Sequence, residues 1–153
     1  MMISNLNNKR GDTMKDNIIF EKVWQDADVI ELKVVCSSSV ALFTSKIYVS
    51  YSLIDELICI IKQFLDGIIE EGSWANEAKG NDSTACVSLR FLKKDKLGHI
   101  IIETFAELDD GGDYTEHNCC FYIVTEYGLL SNFCDRLACL KNHPVGFKIQ
   151  LNY

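Results

Sequence analysis

The sequence lacks any long apolar run. Stretches such as Leu57-Ile58-Cys59-Ile60-Ile61 fall far short of the ~20 residues of a membrane-spanning helix. It lacks an excess of positive charge: 15 Lys and Arg stand against 22 Asp and Glu, a net of −7. A field of that sign repels phosphate backbones and anionic lipid, so neither nucleic acid nor a membrane is expected as a partner. Enzyme signatures are missing as well. There is no Gly-x-Gly-x-x-Gly, no P-loop, no Gly-x-Ser-x-Gly and no His-Glu-x-x-His. No Cys-x-x-Cys spacing occurs, and no secretory signal precedes the cysteines, because residues 5–17 are polar. Seven scattered cysteines without such a signal predict thiols in a reducing cytoplasm, most of them acting as small apolar fillers.

What is present describes an ordinary globular chain. Its 153 residues are the size of one domain, with 48% apolar and 24% charged residues. Residues 1–17, rich in Asn, Lys and Asp, read as a flexible leader, and 18–153 as a single α+β domain. From Ile18 the apolar period is two: Phe20, Lys22 and Trp24 alternate with Ile19, Glu21 and Val23. Val29–Cys36 and Val40–Val49 repeat the pattern, which predicts an antiparallel meander. The period then changes to that of a helix. Apolar residues from Leu53 to Ile68 leave only a narrow polar stripe, with Ser52 and Asp55 at its start. Residues 70–83 read as a loop whose one large apolar side chain, Trp74, either packs inward or anchors an interface. Three more strands follow, 84–92, 99–108 and 118–125. A helix over 126–140 capped by Thr125 and a strand over 145–151 complete the order βββαβββαβ. The expectation is one mainly antiparallel sheet of six or seven strands with two helices packed on it.

Two clusters could carry function. Glu107, Asp109, Asp110, Asp113 and Glu116 crowd one hairpin tip with no base among them. Calcium would compensate this charge, but the EF-hand spacing is absent. A basic protein surface would also do so, and a solvated turn is the third reading. The second cluster is His117-Asn118-Cys119-Cys120, with His99 on the neighbouring strand. Strand geometry sends Cys119 and Cys120 to opposite faces, so a zinc site or a Cys–His pair needs a favourable register.

Several segments together carry a resemblance: Tyr48-Val49 before the Leu53–Leu65 helix, Trp74, Cys86-Val87-Ser88-Leu89-Arg90-Phe91, and Gly98-His99. Further along are Asp109-Asp110-Gly111-Gly112 and Phe121-Tyr122-Ile123-Val124-Thr125-Glu126 before Leu129-Leu130 and Phe133. In pattern and layout over residues 18–151 the chain resembles the WapI-type immunity proteins of polymorphic-toxin systems. That resemblance implies a cytoplasmic, non-enzymatic protein that binds and blocks a toxin domain, with no cofactor and no transferable site residues. The expected partner-binding residues are Asp109, Asp110, Asp113, Glu116 and Trp74, and the expected partner is a basic toxin. The alternative is a small-molecule or metal-binding protein, or an enzyme, using His99, His117, Cys119 and Cys120. A homo-oligomer through an open sheet edge is a third reading.

Overall fold

A computed structural model describes residues 14–77, 85–92, 95–108 and 117–152. The chain runs β1 (Asn17–Gln25), β2 (Val29–Ser37), β3 (Leu42–Ser50), α1 (Tyr51–Leu65), β4 (Gly72–Ala75), β5 (Cys86–Leu92), β6 (His99–Glu107), β7 (Asn118–Glu126), α2 (Tyr127–Leu137), a 3-10 turn (Ala138–Lys141) and β8 (Lys148–Gln150). The α+β class is as expected. The single sheet is not: the strands form two antiparallel sheets of four, ordered β3-β2-β1-β8 and β4-β5-β6-β7. Both sheets carry a mostly apolar inner face, with Lys22, Ser45 and Thr104 among its few polar residues, and α1 is apolar around most of its circumference. Two sheets bury all three surfaces where one sheet could not.

One hydrophobic cluster joins both sheets and both helices. Phe133 of α2 meets Phe20 of the first sheet edge to face at 5.5 Å. Phe64 of α1 meets Phe91 of the second at 6.0 Å, and the sheets touch directly through Phe43 and Phe121 at 5.6 Å. Side chains at these distances are in the range where aromatic pairs attract beyond their area burial.

Local chemistry sets the element ends. Helix α1 starts two residues earlier than the Ser52–Asp55 pattern predicts, because Ser50 caps it and its Oγ accepts the Leu53 N–H at 3.3 Å. Thr125 does not cap α2. It is a buried residue within β7, which ends at Glu126, and its hydroxyl donates to Asn152 Oδ1 at 2.7 Å. The expected loop at 70–83 contains the fourth strand. Gly72 opens it against α1, where a Cβ would lie 2.6 Å from Ile60 Cγ2, so no other residue fits without displacing the Ile60 side chain. Asn76 extends the β4–β5 pairing with its side chain, which accepts from Val87 N and donates to Ala85 O.

The chain enters the fold before Ile18. Lys15 O accepts from Ser37 Oγ, Asp16 bonds the β7 backbone, and Asn17 opens β1. At the other end, Lys22 is fully buried, and its ammonium donates to His143 O at 2.7 Å, just past the helical carbonyls of 138–141. Positive charge there suits the end of a helix. Burial lowers the pKa of this amine from the usual lysine value. Lys22 N–H and C=O also bond Phe147 and Gly146, so the same residue holds the segment leading to β8.

Candidate functional site

The outer face of the second sheet is open to solvent, and its register defines rows across the strands. Ser73, Arg90, Glu103 and Tyr122 form one row. Arg90 Nη2 and the Tyr122 hydroxyl both donate to Glu103 Oε2 at 3.0 Å. That acceptor, with its negative charge, raises the pKa of the Tyr122 phenol. Beside the Arg90 end lies a shallow depression of about 290 Å³ lined by Glu56, Ser73, Arg90 and Glu103. The next row holds Leu92, Ile101 and Val124, and the one beyond it pairs His99 with Glu126. Ile101, Tyr122 and Val124 are exposed at 41%, 54% and 47%. The face is thus apolar and aromatic, with the Glu103 carboxylate near its middle, bonded to Arg90 and Tyr122, and Glu126 at one end.

At the opposite end of β6 and β7, Glu107 pairs with Asn118, and the connection between the strands holds the expected partner-binding acids. Asp109, Asp110, Asp113 and Glu116 lie outside the described residues. Trp74, the fifth expected partner-binding residue, takes the packing alternative. It is 3% exposed, and its indole N–H donates to Leu53 O at 2.9 Å, tying β4 to the first turn of α1. A side chain so enclosed does not act as a surface anchor.

The alternative ligand residues are not brought together. His99 pairs with Glu126 and Asn118 with Glu107, so eight residues of strand separate His99 from the neighbourhood of His117, roughly 26 Å. His99 is instead part of the β5–β6 turn. Its Nδ1 lies 2.7 Å from Asp95 Oδ2, and Asp95 Oδ1 accepts the backbone N–H of Leu97 and His99. Asp95 raises the His99 pKa, and His99 lowers that of Asp95. Cys119 is half-buried on the inner side of β7 and Cys120 exposed on the outer, as strand alternation requires. All seven cysteines are thiols. Burial, with a smaller effect of Cys119 nearby, pushes the Cys36 thiol far up, and burial pushes Cys134 to about 11. Neither is a reactive thiolate at neutral pH. Among the described residues no three His, Cys, Asp or Glu side chains are arranged to hold a metal ion, and no helix is long and apolar enough to cross a membrane.

A second exposed feature was not foreseen. On the outer face of the first sheet Trp24, Glu31 and Tyr48 form a row, with the two rings edge to face at 6.3 Å. Glu31 accepts the Tyr48 hydroxyl, which raises the phenol pKa. Strict alternation puts Trp24 on the inner face with Phe20. A register shift between Lys22 and Trp24 turns it outward instead. The next row, Lys148, Glu21, Lys33 and Lys46, is mostly basic.

Compared with known proteins, the chain matches no family model, no curated protein and no solved structure.

Proposed function

We propose that the protein is a non-enzymatic binding protein that neutralises a cognate basic toxin domain, in the manner of the immunity proteins it resembles. The observation that carries this reading is the open outer face of the second sheet. Exposed Ile101, Tyr122 and Val124 lie among Glu103 and Glu126 there. Exposed aliphatic and aromatic side chains set among a few charged groups are the composition of a protein-binding patch. The strands that build this face lead into the acidic connection of Asp109, Asp110, Asp113 and Glu116. Those carboxylates would steer a cationic partner, and a net charge of −7 adds to the attraction.

The test uses a basic toxin domain, which this reading expects the neighbouring reading frame to encode. Co-expression should restore growth, and the two proteins should co-elute from a sizing column. Replacing Asp109, Asp110 and Asp113 with Lys should slow association at low salt by about tenfold or more. Tyr122→Ala should instead speed dissociation by about tenfold or more. An on-rate indifferent to both charge reversal and salt would overturn the reading.

A further inference from the structure

Four strands bound the two sheets: β3 and β8 in the first, β4 and β7 in the second. A sheet edge recruits another strand unless it is short, bulged, charged or covered. β8 and β4 are three and four residues long. β7 is long but plugged: Asp16 Oδ2 accepts the Val124 N–H at 2.7 Å, and Asn152 Nδ2 donates to the Val124 carbonyl at 3.0 Å.

β3 has none of these protections. It is nine residues long, pairs with β2 without a register break, contains neither Pro nor Gly, and carries Lys46 as its one charge. Ser38 N–H bonds Ala41 O at 2.8 Å, which makes Ser38 and Ala41 a hydrogen-bonded pair. Counting in twos along the register gives Phe43, Ser45, Ile47 and Val49 the bonds to β2. The peptide groups of Leu42, Thr44, Lys46 and Tyr48 therefore face the open edge, and no hydrogen bond among the described residues engages them.

Ser45 gives an independent sign. It is 4% exposed, and its hydroxyl has no hydrogen-bond partner among the described residues. Its neighbour across β2 is Val34, which offers none. Buried hydroxyls are normally satisfied.

We propose that β3 pairs with β3 of a second copy of this chain, antiparallel about a two-fold axis at Ser45. In that register Ser45 faces its own counterpart, Thr44 faces Lys46, Phe43 faces Ile47, and Leu42 faces Tyr48. The Ser45 pair is of the non-hydrogen-bonded kind, with Cα atoms about 4.5 Å apart, close enough for the hydroxyls to satisfy each other once each turns about its Cα–Cβ bond from its enclosed position toward the axis. The Thr44–Lys46 and Leu42–Tyr48 pairs exchange the unused backbone bonds. Charge selects this register, because centring on Lys46 would set like charges opposite one another. Leu42 and Tyr48, 52% and 57% exposed in one copy, then cover each other. The contact is isologous and closes at two subunits. Each copy carries −7, so the two bodies repel, and added salt strengthens their association. That salt dependence is opposite in sign to the one expected for a basic toxin, so the two proposals fail separately.

Sedimentation equilibrium of the full chain at low and high salt tests the pairing. A monomer–dimer equilibrium that shifts toward dimer with salt is expected. Thr44→Pro removes an edge-facing N–H and no bond to β2, so the fold stays and the dimer dissociation constant rises by about a hundredfold or more. Ser45→Ala should weaken the dimer by roughly five- to twentyfold while raising the unfolding midpoint of the dilute monomer, because the orphaned hydroxyl is gone. A residue that merely packs would not move the two readouts in opposite directions. A monomer at high concentration and high salt, or a dimer indifferent to Thr44→Pro, overturns the proposal.

Discussion

The two long edge strands, β3 and β7, each have nine residues and alternate inward and outward side chains, yet they meet solvent differently. β7 is closed by groups from both ends of the chain, Asp16 and Asn152, bonded to one peptide unit at Val124. β3 is closed by nothing among the described residues. Edge protection here is not a property of the strand's own sequence. It comes from whatever the topology brings alongside: Asp16 and Asn152 reach the edge of β7, and no described segment reaches that of β3.

The comparison can be broken most severely at β4, the short edge opposite β7. Trp74→Ala removes the large side chain that fixes β4 to α1, and a loss of about 3–5 kcal/mol is expected in urea unfolding. A loss below about 1 kcal/mol would mean that β4 is held by its backbone pairing with β5 alone. A smaller effect is expected from Asp16→Ala, which unplugs β7. Stability should fall by about 1 kcal/mol, and the Val124 amide should exchange faster with solvent. Unchanged exchange at Val124 would show that Asp16 does not guard that edge. The smallest effect belongs to the β5–β6 turn. His99 has a raised pKa in the folded chain, so its contribution is fully present below the ordinary histidine value of about 6.5 and is lost as pH rises through the folded value. The difference in melting temperature between the protein and His99→Gln should therefore be larger at pH ~5.5 than at pH ~8. Both groups are exposed, so the shift is expected to be slight. An equal difference at both pH values would leave the Asp95 contact without thermodynamic weight.

Much of this was legible in the sequence, for a definite reason. Burial on one side of a strand forces a period of two, and β1 to β3 and β5 to β7 announce themselves that way. Helix α1 announces itself by its narrow polar stripe. Partition into two sheets was not legible, because alternation says which face is buried and nothing about which strand lies alongside. β4 was hidden by its length: Gly72-Ser73-Trp74-Ala75 is too short to display a period. Trp24 was misplaced by one inserted residue, which leaves composition unchanged and reverses every face beyond it. Of the expected site, the sequence located the acidic run but could not say that His99 and His117 sit at opposite ends of a hairpin. Register is set by pairing, and pairing is tertiary.

Lys22 has a consequence for anyone handling this protein. Its amine is sealed from water beneath the turn that precedes β8, while Lys33, Lys46 and Lys148 stand on the outer sheet face. An acylating reagent should reach those three long before it reaches Lys22. The order of labelling thus becomes a chemical clock for the C-terminal latch: early modification at Lys22 would report that the last strand had let go while the rest of the molecule still held.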